Sequence, residues 1–138
     1  MIELVTGYLD AAEMDIELVA IVEHFRAIQV ETVFVSFGFG CQRDQLLQAD
    51  LVPIGINLLL ESLADHEARG IFELGESNVM IEGGGLAYLV CHEHDIHCSG
   101  EENSALRQVR RRWARDHEGS QERRNGGRWR RIRGRPDV

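Results

Sequence analysis

At 138 residues and 15.6 kDa the chain is sized for one hydrophobic core, because two cores of half that length would each sit near the lower limit of independent folding. A hydrophobic fraction of 43% is ordinary for a globular protein, and no stretch approaches the roughly 20 consecutive apolar residues that cross a bilayer, which excludes a membrane span. The net charge of -8 joins two opposed parts: residues 1–104 hold three arginines against 19 acidic residues, and residues 105–138 hold twelve arginines against four.

Ile2 to Leu9 reads as a first strand, apolar on both faces and therefore buried. Asp10 and Glu13 then form a capping box, and Met14, Leu18, Ile21, Val22, Phe25 and Ile28 fall on one face of the helix it opens. Glu31 to Phe39 is β-branched and aromatic on both faces, a central strand, so that two strands flanking one helix predict a right-handed βαβ unit. Gly38-x-Gly40 lacks a third spaced glycine or a following Lys-Ser/Thr and reads as a turn. After a polar stretch around Gln42 to Gln48, a second helix is expected from Val52 to Arg69, with Pro53 in its first turn, Ile56, Leu59, Leu60 and Leu63 inward, and Gly70-Ile71 closing it.

Phe72 to Glu82 and Leu86 to Cys98 read as strands joined by a tight turn at Gly83-Gly84-Gly85. Ser99-Gly100-Glu101-Glu102 resembles a second capping box, opening a helix with Leu106, Val109 and Trp113 inward. The expected fold is thus α/β, or α+β: a mixed sheet of about four strands with three helices, in the order β-α-β-α-β-β-α. A globular domain over 1–118 is followed by an Arg/Gly-rich disordered tail over 119–138, where little can be buried. Nucleic acid is expected as a partner only through that tail, by charge and stacking on Trp129.

Cys41, Cys91 and Cys98 are too few for a stapled secreted domain, and with no leader evident after Met1-Ile2-Glu3-Leu4 a cytoplasmic location is expected. On a continuous strand Cys91 and Cys98 would lie about 23 Å apart, beyond disulfide reach unless the chain bends back. Cys41, after a glycine turn, is read as a structural thiol ahead of a reactive one. The absence of lysine suits a GC-rich coding history.

The segment Cys91-His92-Glu93-His94-Asp95-Ile96-His97-Cys98 concentrates three of the six histidines and two of the three cysteines. On a strand, His92 and His94 share a face and make a bidentate start for zinc, with a third ligand from elsewhere. His97 is the further candidate. The string departs from the His-x-His-x-Asp-His pattern of metallo-β-lactamases at its fourth and fifth places. A Cys98-His97-Asp95 triad fails because adjacent strand residues point apart. The plainer reading is a strand whose polar end reaches the surface. No cofactor is expected on that reading; zinc is the exception to be tested.

VFVSFGFG (Val33 to Gly40) and LAYLVCHEHDIHCSGEENSALRQV (Leu86 to Val109), in an acidic chain of this size, resemble the small immunity proteins that bacteria encode beside polymorphic or contact-dependent toxins. The resemblance spans about residues 1–117 and carries over no functional residue. It implies an inhibitor, not an enzyme, that occludes a basic toxin, often a nuclease. On the inhibitor reading, Glu76, Glu82, Glu93, Asp95, Glu101 and Glu102 are the carboxylates expected to meet a cationic partner, speeding association by steering. The alternative is a small metal-binding enzyme or sensor using His92, His94 and His97.

Overall fold

The computed structural model describes residues 1–41 and 51–132; the polar stretch from Gln42 to Gln48 and the last part of the arginine-rich segment, 133–138, lie outside the described residues. Eight strands, β1 (Ile2–Val5), β2 (Thr32–Phe37), β3 (Val52–Gly55), β4 (Val79–Gly83), β5 (Leu86–Val90), β6 (Ile96–Gly100), β7 (Gln121–Arg124) and β8 (Arg130–Arg131), form one sheet in the order β3-β2-β4-β5-β6-β1-β7-β8. Every neighbouring pair is antiparallel. Three helices accompany it: α1 (Ala11–Ala27), α2 (Leu59–Ala68) and α3 (Ser104–Asp116).

This α+β architecture corrects the expected four-stranded mixed sheet. β1 and β2 are not neighbours: β1 lies between β6 and β7, and β2 between β3 and β4. Apolar residues on both faces of a strand report burial, not parallel pairing, so the inferred βαβ unit does not form. The expected first strand is also shorter, because Thr6 turns its hydroxyl onto the Ile96 amide (3.1 Å) and Gly7 takes a positive φ of 81°.

Two further elements differ for local reasons. Val52 to Gly55 pairs with β2 as an edge strand instead of opening α2, and an edge is where Pro53, lacking an N–H, is tolerated. A short 3-10 turn, Ile56–Leu58, then leads into α2, which ends as expected with Gly70 at φ 74° and the Ile71 amide donating to His66 O at 3.0 Å. The expected strand from Leu86 to Cys98 breaks at Cys91–Asp95, a turn in which His94 takes φ 59°, so β5 and β6 are a hairpin. The glycine turn between β4 and β5 forms as read, with Gly84 and Gly85 both at positive φ.

Of the segment expected to be a disordered tail, the described residues 119–132 instead extend the sheet. β7 pairs with β1 from Ile2↔Arg124 to Val5↔Gln121, β8 pairs with β7, and Ser120 and Ile132 are buried beside them. Backbone pairing requires no apolar side chain, so a strand of sequence QERR carries no hydrophobic signal.

Alternation along the strands builds two layers. Leu4, Val33, Val35, Ile81, Tyr88 and Cys98 are completely buried on one face beneath the helices, where Phe25 and Trp113 meet the Tyr88 ring at centroid distances of 5.4 and 6.4 Å. The opposite face carries the half-buried Glu3, Ser36, Met80, Leu89, His97 and Arg123. Helix α1 begins at the Asp10/Glu13 capping box. Helix α3 begins instead at Asn103, whose Oδ1 accepts from the Leu106 amide at 3.0 Å, because Ser99 and Gly100 belong to β6.

Within the helical layer one charge is buried outright. Glu17 on α1 is 1% exposed and accepts from Arg112 (2.6 and 2.8 Å), Trp113 Nε1 (3.0 Å) and His117 Nε2 (2.7 Å). These four contacts tie α1 to α3 and its C-terminal cap.

Candidate metal centre

The break between β5 and β6 positions the site. The Cys91 amide donates to Asp95 O (2.9 Å), the Leu9 amide to His94 O (2.6 Å) and the His94 amide to Gly75 O (3.3 Å). The His92 amide donates to Asn78 Oδ1 (2.8 Å). Held from both sides, the turn brings Cys91 back toward Asp95, its last residue, and His97 on β6. One donor atom from each of the three lies within 4.8 Å of the others.

These residues form a cluster able to hold a transition-metal ion such as zinc. Tetrahedral zinc with bonds of about 2.3 Å to sulfur and about 2.0 Å to nitrogen or oxygen sets its ligands roughly 3.5 Å apart, close to the 3.2 Å between Asp95 Oδ1 and His97 Nε2. Cys91 is buried. Asp95 Oδ1 is also buried and lies 3.2 Å from His97 Nε2, an ion-pair contact in which the ring N–H is poorly aligned with that oxygen. A metal bound here would take the place of the proton between carboxylate and imidazole.

His97 is held from behind. Its Nδ1 lies 2.9 Å from Glu3 Oε2, the carboxylate-to-histidine contact that fixes ring orientation in metal sites and raises ligand basicity. Glu3 is itself held by Arg123, at 2.8 Å from Nε and 2.7 Å from NH2, and the Arg123 guanidinium stacks 4.4 Å above the Trp129 ring. Three strands thus support one imidazole.

The electrostatics follow from this packing. Burial pushes the His97 pKa down, but the hydrogen-bond-accepting, negatively charged carboxylates of Asp95 and Glu3 outweigh it and hold the group above its ordinary value. Burial pushes Asp95 up, and His97 with the Cys91 thiol more than reverses that. Burial raises Cys91, reinforced by Asp95, and burial drives Cys98 up to about 12. Neither thiol is tuned as a nucleophile, which requires a depressed pKa.

The anticipated His92/His94 pair is not gathered, because both residues lie on the turn. His92 Nδ1 is 2.9 Å from Asn78 Oδ1, 3.8 Å from Cys91 Sγ, and its ring lies 4.6 Å from Phe39. His94 stacks on Tyr8 at 5.2 Å and pairs with Glu76 at 2.9 Å, over the bare backbone of Gly75, where a Cβ would sit 2.7 Å from the imidazole. Of the three histidines singled out in sequence, His97 alone joins the cluster. Cys91 and the supporting Glu3 and Arg123 were not anticipated; the available signal was the polar run His92 to Asp95, which marks a turn as well as it marks a strand end. Cys41 is half-buried, with Sγ 3.5 Å from Asn78 O.

The six carboxylates expected to meet a partner fall at two ends of the sheet. Glu76, Glu93 and Asp95 gather at the Cys91–Asp95 turn. Glu82, Glu101 and Glu102 lie at the Gly83–Gly85 end, about 13 Å away along β6. Glu102 is engaged by both Arg110 nitrogens at 2.7 Å, which hold its carboxyl below the ordinary range. Glu93 and Glu101 are exposed.

No helix among the described residues is long and apolar enough to cross a membrane. Searches against protein-family models, curated proteins and solved structures return no match for this chain.

Proposed function

We propose that this is a metal-binding protein that takes zinc, or a cation of similar preference, through Cys91, Asp95 and His97. The observation that carries the reading is the convergence of a buried thiol, a carboxylate and an imidazole, one donor atom of each within 4.8 Å of the others, with the far nitrogen of the ring fixed by Glu3. Three protein donors leave a fourth position for water or a small ligand, the pattern of a reactive or sensing centre, not of a closed structural site. A reduced thiol ligand suits the cytoplasm.

The test uses the full chain expressed with ample zinc. Elemental analysis should find about one zinc per chain, and cobalt substitution should give tetrahedral visible bands with a thiolate charge-transfer band in the near ultraviolet. Cys91→Ser should abolish that band. Protein without stoichiometric metal, or a cobalt spectrum indifferent to Cys91→Ser, would remove the reading.

A second reading is favoured by a different observation. Tyr8 and Phe39 are 73% and 63% exposed on either side of the Cys91–Asp95 turn, Tyr8 stacked on His94 and Phe39 tilted against His92, and are flanked by Glu76 and Glu93. Exposed aromatics ringed by carboxylates suit a basic protein partner, such as the cognate toxin of an immunity protein, with Tyr8 as anchor. Tyr8→Ala should then weaken the complex by about 2 kcal/mol or more, and added salt should slow association steeply. An on-rate indifferent to salt would count against it.

A further inference from the structure

The arginine-rich end of the sheet carries cations that the fold does not use. Arg112 serves Glu17, Arg110 serves Glu102 and Glu122, Arg123 serves Glu3, and Arg115 serves Asp116. Arg107, Arg111, Arg124, Arg128 and Arg130 are exposed, and among the described residues they make no ion pair. Arg107 and Arg111 stand one helical turn apart on α3, where like charges repel unless an anion lies between them. Arg124, Arg128 and Arg130 surround one hollow of about 270 Å³ on the β7–β8 hairpin. It adjoins a larger one of about 890 Å³, against α3, to which Arg130 and Glu122 also contribute.

We infer that this end of the molecule binds single-stranded nucleic acid along the phosphate backbone. Guanidinium forks match phosphate oxygens in pairs, and a groove edged by several of them tracks a strand without reading its sequence. The acidic majority of the chain does not forbid it. Eight strands at about 4.8 Å spacing put β8 about 34 Å from β3, some four screening lengths at physiological salt. Of the nearer carboxylates, Glu3, Glu17, Glu102, Asp116, Glu118 and Glu122 are each engaged by an arginine, and Glu101 is exposed.

The experiment titrates the full chain against a fluorescein-labelled 20-nucleotide single-stranded RNA, the matching DNA, and polyglutamate of equal charge, by anisotropy. Either nucleic acid should bind with a log-log salt slope of about -3.5 for about five phosphate contacts, and tighter than polyglutamate. Arg124→Gln/Arg128→Gln/Arg130→Gln should weaken binding more than tenfold at 50 mM salt and reduce the slope by about 2. Arg107→Gln/Arg111→Gln, which keeps good helix formers on α3, should weaken it severalfold and guards against a misfolded hairpin. Arg26→Gln/Arg69→Gln, at the far edge, should change nothing. The proposal fails if neither nucleic acid binds, if polyglutamate binds equally, if the far-edge variant loses as much as the hairpin variant, or if both hairpin and α3 variants bind as the parent does.

Discussion

Glu17→Ala is expected to lower stability by about 3–5 kcal/mol, or roughly 10–20 °C in melting temperature for a chain of this size. The large value comes from what the substitution leaves behind. Arg112 has a side chain only 18% exposed, and with Trp113 Nε1 and His117 it would lose its acceptor inside the α1–α3 interface, where unpaired polar groups are costly. Urea denaturation measures the effect directly; a loss below about 1 kcal/mol would show that the network contributes little. A pH arm checks the cause. Burial pushes the Glu17 pKa up, but hydrogen bonds from His117, Arg112 and Trp113 and the charge of Arg112 pull it below its ordinary 4.5. A depressed carboxyl stabilises the fold fully above its unfolded pKa, and that contribution disappears as pH falls below about 4.5 through the folded value. Glu17→Gln should therefore show a shallower acid decline than the parent, although Glu3, Asp95, Glu102 and Asp116, also depressed, keep part of the slope.

Glu3→Gln should weaken zinc binding by about 10–100-fold, the range for loss of a carboxylate that orients a ligating histidine. The amide matches the carboxylate in size but presents one acceptor where His97 and Arg123 each now have an oxygen. Chelator competition on parent and variant gives the ratio. A change under threefold would mean that the ring is placed by strand packing alone, and the supporting role of Glu3 would be withdrawn while the ligand set stood.

Helix α1 was legible in sequence because two independent signals agree there, a reciprocal cap at Asp10 and Glu13 and an apolar stripe at helical spacing. The inward trio of α3 and the glycine turn after β4 were legible for similar reasons. The width of the sheet was not. β3, β7 and β8 have the sequences VPIG, QERR and RR, which join through backbone hydrogen bonds that any side chains permit. At the candidate site the unusual density of histidine and cysteine was visible, but membership was not. Alternation puts Cys91, Asp95 and His97 on one face and His94 on the other, but on a straight strand Cys91 would lie about 20 Å from His97; only the five-residue turn brings it back, and Glu3, from the start of the chain, enters through the register β1↔β6.

The place of β1 in the sheet has a consequence for biosynthesis. Its two neighbours come from residues 96–100 and 121–124, and the Met1 ammonium is clasped by Asn125 at 2.7 Å. At about 5–20 residues per second, β1 waits several seconds or more with both edges open until those residues are made. The sheet around β1 therefore closes only once residues 121–124 are available, and a chaperone that shields an apolar strand has its longest opportunity at Ile2 to Val5.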